Sequence, residues 1–301
     1  MNEIILRTPA KVNLSLDITG KRADGYHTLR SVFQAVDCYD TLKITHTEAS
    51  APLALTCSEA GIPCDEHNLV YKAAVMLLGE QPCGISMHLE KQIPSQAGMG
   101  GGSSDCAAAL LGIRKLLNLD VSDAKLLEIA VKLGADVPFF LCGGTAVAEG
   151  IGEQLTPLAD VPERTLVLAK GNEGVSTPEG YRKLDLLEDS LPMYTDAVLE
   201  KLRDPQPQRL FTVCGNAFDA VTKLREIKRI RLVMSSCGIN PVLSGSGAAV
   251  FGGCEMQSQA EHLAKLLAGM SFVRICKTVP HGVQMQTSDG AWENLSVNIK
   301  E

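Results

Sequence analysis

Between a stretch that alternates like a strand (Ile85, Met87 and Leu89 against Ser86, His88 and Glu90) and one striped like a helix (Leu110, Ile113, Leu117), residues 93–106 read Ile-Pro-Ser-Gln-Ala-Gly-Met-Gly-Gly-Gly-Ser-Ser-Asp-Cys. Glycine fills four of the five positions 98–102. That removes the side chains that would hold a backbone away from a charged ligand, and it permits positive φ angles. Ser103, Ser104 and Asp105 then offer cap chemistry to the following helix, whose unpaired N–H groups and dipole favour an anion. The segment predicts a phosphate cradle at a strand-to-helix junction. It is not a Walker A loop, because no lysine follows the glycines, and it is not the dinucleotide fingerprint, because Ser103 stands where that needs glycine.

At 301 residues the chain is long enough for two domains, each with its own core. Its 45% hydrophobic and 21% charged residues are those of an ordinary globular protein. A net charge of -7 without a basic stripe excludes a general nucleic-acid binder. The densest basic cluster, Lys223 to Arg231, is interleaved with Leu224, Ile227 and Ile230 and reads as the solvated face of a helix. The ten cysteines form no Cys-x-x-Cys pair and have no histidine at zinc spacing, so they are expected to be reduced, small apolar residues. Neither a basic leader nor an apolar run of the ~18 residues a membrane span requires is evident, which predicts a cytoplasmic protein without membrane contact.

Lys11 to Ile18 alternate strictly, with Val12, Leu14, Leu16 and Ile18 opposite Lys11, Asn13, Ser15 and Asp17. This predicts a half-buried strand. Asp24-Gly25 marks a hairpin turn, after which Leu29 to Val36 returns as a second strand. Leu42 to His46 and Ala54 to Cys57 read as further short strands. Asn68 to Leu78 reads as a helix capped by Asn68 and stopped by Gly79. Ala107 to Leu119 and Ser122 to Leu133 read as helices, the second ending at Gly134. Ala135 to Gly144 is expected to be a compact turn and Thr145 to Glu149 a strand. Prolines and charges at 156–164 suggest a linker. Beyond it, Leu166 to Ala169 and Val273 to Val279 read as strands and Pro241 to Phe251 as strand and loop. Val198 to Leu202, Phe211 to Ile230 and Gln257 to Leu267 read as helical, together an antiparallel α+β layer. The polar, patternless residues 286–301 predict a loosely held tail.

Singly, the chemical candidates have plain explanations. Lys11 and Asn13 could be a solvated strand face, Asp136 before Pro138 an N-cap, and Ser244-Gly245-Ser246-Gly247 a tight turn. In combination they are specific. Pro9-Ala10-Lys11-Val12-Asn13-Leu14, the glycine–serine loop and the second glycine cluster resemble the three ordered motifs of the GHMP small-molecule kinases. Two further segments, Gly20 to His27 and Gly134-Ala135-Asp136-Val137-Pro138-Phe139-Phe140, together with the Gly-Gly-Gly-Ser-Ser ending of the loop, resemble the branch of that superfamily whose acceptor is cytidyl-diphospho-methylerythritol. The resemblance covers roughly residues 4–285.

The resemblance implies an α+β, two-domain fold. Residues 1–158 would be an ATP-binding domain of the ribosomal protein S5 domain 2-like type and residues 159–301 a ferredoxin-like domain, with the active site between them. It implies phosphoryl transfer from ATP to the acceptor's 2-hydroxyl, in the non-mevalonate route to isoprenoid precursors. Asp136 would be the proton acceptor and Lys11 the catalytic cation. For ATP it implies Asn68 and the loop Pro94, Ser95, Gln96, Ala97, Gly98, Met99, Gly100, Gly101, Gly102, Ser103 and Ser104. Mg²⁺ would be held through Ser103 or Ser104, and Ser244, Gly245, Ser246 and Gly247 would form the third motif. For the acceptor it implies Asn13, Tyr26, His27, Thr177 and Tyr181, with His27 reading the cytosine edge and Tyr181 stacking on the base. The rival readings are a homoserine- or mevalonate-type kinase and a catalytically silent nucleotide-binding protein of the same fold. A small-molecule partner is expected, and the sequence leaves the oligomeric state open.

Overall fold

The computed structural model describes residues 2–79, 82–159, 161–187, 190–204 and 209–298. Its first part runs β1 (Glu3–Lys21), β2 (His27–His46), β3 (Ala54–Cys57), α1 (Leu69–Leu78), β4 (Ile85–Glu90), α2 (Gly101–Leu117), α3 (Asp123–Leu133), α4 (Val137–Cys142), β5 (Thr145–Glu149) and β6 (Gln154–Pro157). Then follow β7 (Thr165–Lys170), α5 (Thr177–Leu184), α6 (Thr195–Leu202), β8 (Gly215–Asn216), α7 (Arg225–Ser236), β9 (Val242–Leu243), β10 (Val250–Cys254), α8 (Gln257–Leu266), β11 (Phe272–Lys277), β12 (Gln284–Gln286) and β13 (Trp292–Asn294).

The long antiparallel hairpin β1–β2 is the spine. Its register shifts at Pro9/Ala10, Asn13/Ser15 and Ile18/Gly20, and such irregularities bend and twist a ribbon. In the first sheet the order is β13-β12-β1-β2-β4-β3, with β5 also on β2, β6 on β5 and β8 on β1. Helices α1 to α4 bury their apolar stripes with the near half of this sheet, in a core that includes Leu6, Leu42, Ile44, Met87, Leu110 and Phe139. The second sheet has the order β11-β7-β10-β9. With α7 and α8 it completes the β-α-β-β-α-β succession of a ferredoxin-like layer. A second core, including Val12, Leu14, Val32, Leu168 and Phe251, joins the hairpin to that layer. No helix of the described residues is long and apolar enough to cross a membrane.

Several sequence expectations change. The hairpin strands are longer than expected, and Leu42 to His46 belongs to β2. The polar face of β1 is not solvated: Lys11, Asn13, Ser15 and Asp17 are at most 3% exposed. The far end of that face serves α6, where Asp17 accepts N–H bonds from Tyr194 (2.7 Å) and Thr195 (2.9 Å). The Ser15 hydroxyl lies 2.9 Å from that of Thr195. Residues 135–144 hold the short helix α4 rather than only a turn. Residues 211–230 are not one helical run but 3₁₀ turns, the short strand β8 and the start of α7. The tail is tied down as far as it is described, since β13 pairs with β12 and β12 with β1. Val297 is buried and its N–H bonds Leu141 O at 3.0 Å. Residues 299–301 lie outside the described residues.

Candidate active site

The glycine loop is shaped by contacts on both of its sides. Gly98 and Gly100 have φ of +70° and +71°. A Cβ at Gly98 would stand 2.0 Å from Ser244 O, and one at Gly100 2.6 Å from Phe140 Cζ. Only glycine meets both demands. The third-motif residues Ser244, Gly245, Ser246 and Gly247 make the β9–β10 connection and brace the loop from behind. Ser244 Oγ donates to Gly98 O at 2.9 Å. The N–H groups of Ala248 and Ala249 donate to Gln96 O (3.2 Å) and Ala97 O (3.0 Å).

Helix α2 begins at Gly101, earlier than the expected Ala107, and Gly100 is its N-cap without a capping side chain. Ser103, Ser104 and Asp105 therefore do not cap it. Its first turn has no capping side chain, and N–H groups left uncapped at a helix start favour an anion. Ser104 is buried, its hydroxyl donating to Pro9 O at 2.7 Å, whereas Ser103 borders the cavities on both sides of the loop.

Beneath α2, Lys91 Nζ lies between two buried carboxylates, bonding Asp40 and, at 2.6 Å, Asp105. One ammonium between two carboxylates leaves an excess negative charge. Burial first, and then the Asp40 charge, push the Asp105 carboxyl up to about 7 against the pull of Lys91 and Thr8. The two carboxylates raise Lys91 in turn, against burial as the largest opposing effect. This cluster was not found from the sequence, which places Asp40 and Lys91 51 residues apart.

Lys11 reaches the other side of the loop. Its N–H donates to Met99 O at 2.9 Å. Its ammonium donates to Asn13 Oδ1 (2.7 Å), sits 4.4 Å from the Phe33 ring centroid and lies 3.5 Å from Asp136 Oδ2. Asp136 stands at the N-terminus of α4 but makes no side-chain cap bond, and its side chain is 32% exposed. The plain N-cap explanation therefore fails, and its carboxylate is free to face a ligand. Asn13 is a brace: Oδ1 also accepts the Gly245 N–H (2.8 Å) and Nδ2 donates to Ser31 Oγ (2.9 Å).

Two cavities meet at Gly98, Gly100 and Ser103. One, of about 730 Å³, is lined by Lys11, Asp136, Tyr26, His27, Thr177 and Tyr181 among others. Another, of about 400 Å³, is lined by Asn68, Lys91 and loop residues from Pro94 to Ser103. The expected loop and acceptor residues are thus divided between neighbouring spaces. Asn68 is committed to capping α1, accepting the Val70 N–H at 2.8 Å and donating to Pro63 O at 2.7 Å. Thr177 shares a 2.7 Å hydroxyl bond with Ser246. Tyr26 is 63% exposed at the hairpin tip. Tyr181 stacks on His27 with ring centroids 4.6 Å apart, and burial, aided by Asp136, pushes its phenol up to about 12. The partner of His27, Asp185, carried no sequence signal.

A glycine loop at a helix N-terminus, a buried lysine beside an open carboxylate, and a ferredoxin-like layer closing the cleft define a small-molecule kinase of the GHMP class. Residues 68–144 match the family model described as GHMP kinases N terminal domain. The chain is 41% identical over 271 residues to the 4-diphosphocytidyl-2-C-methyl-D-erythritol kinase of Exiguobacterium sibiricum, covering 88% of this chain and 94% of that protein. A crystal structure of 4-(cytidine 5'-diphospho)-2C-methyl-D-erythritol kinase superposes with a TM-score of 0.75 at 35% identity, covering 91% of this chain and 98% of the other. The homoserine kinase of Cytophaga hutchinsonii shares the fold at a TM-score of 0.70 with 17% identity, covering 95% and 98% of the two chains. The chain belongs to the 4-diphosphocytidyl-2-C-methyl-D-erythritol kinase family.

Proposed function

We propose that this protein transfers the γ-phosphoryl group of ATP to the 2-hydroxyl of 4-diphosphocytidyl-2-C-methyl-D-erythritol, a step toward isoprenoid precursors. The observation that carries the reading is the Lys11–Asp136 pair, 3.5 Å apart, opening on the cavity that borders the glycine loop. The nucleotide lies on the side of Asn68 and Lys91, its phosphates at the N–H groups of Gly101 to Ser103. The acceptor lies on the side of Tyr26, His27 and Tyr181, whose rings line the same cavity as Asp136 and make part of it aromatic.

Asp136 takes the proton of the attacking hydroxyl, a role worth ~10²–10⁴-fold in rate. Lys11 is fixed by Asn13, Phe33 and Asp136, so its charge is already aimed where negative charge develops on the hydroxyl oxygen and the transferred group. The remaining acceleration is positioning by the loop amides and the α2 dipole. A magnesium ion would be held through the Ser103 hydroxyl, which borders both cavities, and would neutralise phosphate charge when bound. Asp105 is not such a ligand, because Lys91 and Thr8 already occupy its oxygens.

The test is ADP release by purified protein with ATP, Mg²⁺ and separate acceptors. Turnover is expected with the cytidyl-diphospho substrate and not with homoserine or mevalonate. ADP release with one of those two and none with the cytidyl compound would reject the assignment.

A further inference from the structure

The carboxylate of Asp185, at the C-terminal end of α5, closes the acceptor cavity against the hairpin tip. One oxygen lies 2.6 Å from His27 Nε2, and the other accepts from Lys21 Nζ at 2.6 Å. The Lys21 hydrogen bond first, and then that of His27, hold the Asp185 carboxyl below the usual range. An ionised carboxylate only accepts hydrogen bonds, so the His27 nitrogen facing it must carry a proton. In a neutral imidazole the other nitrogen is then a bare lone pair. Tyr181 covers one face of the ring, and the His27 side chain is only 9% exposed. No described residue bonds Nδ1, and the ring borders the cavity.

We propose that Asp185 is a positioning residue that fixes His27 as the Nε2–H tautomer, so that Nδ1 offers an acceptor to the cavity and selects a base bearing an exocyclic amine over one bearing a carbonyl there. This rests on the reading of that cavity as the acceptor's nucleobase pocket. An amine, as in cytosine, donates to the lone pair. A carbonyl, as in uracil, sets two acceptors against each other and leaves both unpaired, a mismatch that serves specificity more than tightness. The pairing also ties α5, which carries Tyr181, to the strand that carries His27, so base stacking and edge reading are set by one carboxylate.

The experiment compares the intact protein with Asp185→Asn in two measurements. The first is kcat/KM for the cytidyl-diphospho acceptor and for its uridyl counterpart. The second is the ¹⁵N spectrum of the His27 ring without ligand, at about pH 8, above the ordinary histidine range. An amide at 185 can donate or accept and no longer dictates the tautomer. The preference for cytidyl over uridyl is therefore expected to fall by roughly tenfold, the scale of one mispaired hydrogen bond. The ring signals are expected to move from the Nε2–H pattern toward a mixture. Equal losses for both acceptors, or an Nδ1–H pattern in the unaltered protein, would overturn the proposal. If the unaltered protein phosphorylates neither acceptor, the reading of the cavity fails, and the ring spectrum still decides whether Asp185 sets the tautomer.

Discussion

Asp136 and Lys11 lie 3.5 Å apart, and the carboxylate is proposed to take the proton of the acceptor hydroxyl. Asp136→Asn keeps shape and removes the proposed proton acceptor. Turnover is expected to fall by ~10²-fold or more with the melting temperature essentially unchanged. Near-normal kcat would remove Asp136 from the chemistry. Asp105 poses a different question, because its carboxyl is raised to about 7 while its ordinary value is about 3.9. Between those values the native chain holds a proton that the unfolded chain has released, so this group's contribution to stability falls as pH rises from about 4 to about 7. Asp105→Asn has no such proton to lose. Its melting temperature relative to the parent should therefore climb across that window, and parallel curves would contradict the account. Asn68→Ala tests whether a residue with two possible duties performs one. Loss of the α1 cap is expected to cost about 1 kcal/mol. An unchanged KM for ATP in the same variant would assign Asn68 to the helix, and a large rise in that KM would restore a nucleotide contact.

The elements that matter most are two glycine loops that fit each other. Gly98→Ala would drive a methyl to within 2.0 Å of Ser244 O, a main-chain atom with little room to retreat, at a positive φ. Both stability and turnover are expected to drop, by more than the ~1 kcal/mol of an ordinary glycine substitution. A melting temperature within experimental error of the parent would show that the two loops are not clamped as described. Local patterns made several elements legible: the caps and stops of α1 and α3, the alternation of β4 and the glycine run ahead of α2. Other elements were illegible for a common reason, namely partners far away in the chain. The polar side of β1 reads as a solvated face until Thr195, 180 residues on, covers Ser15. Helix α2 starts before its expected first turn, directly after Gly100, whose left-handed backbone and tight fit against Phe140 no local pattern announces. The tail has no periodicity, since pairing of β13 with β12 and the buried Val297, rather than a repeating apolar stripe, hold it.

At the scale of the molecule, one hairpin spans both layers. Its near half shares the core of α1 to α4, and its far half packs on the ferredoxin-like sheet. Lys11 and Asn13 sit where the two meet, so that the same strand supplies a core face and a face that lines the cavity. That is why motifs read separately as surface lysine, helix cap and turn converge on one cleft. The candidate site was legible in its phosphate loop and its Lys11–Asp136 pair, which lie on motif segments. Lys91, Asp40 and Asp185 were hidden because each acquires meaning only from a partner brought near by the fold; His27 and Asp185 are 158 residues apart. Most direct for the central claim is a crystal structure with a non-hydrolysable ATP analogue and the cytidyl-diphospho acceptor. The expected result is a γ-phosphate at the first turn of α2 and the acceptor's 2-hydroxyl within about 2.6–3.2 Å of the Asp136 carboxylate. A hydroxyl directed away from Asp136, or the two ligands exchanged between the cavities, would contradict it.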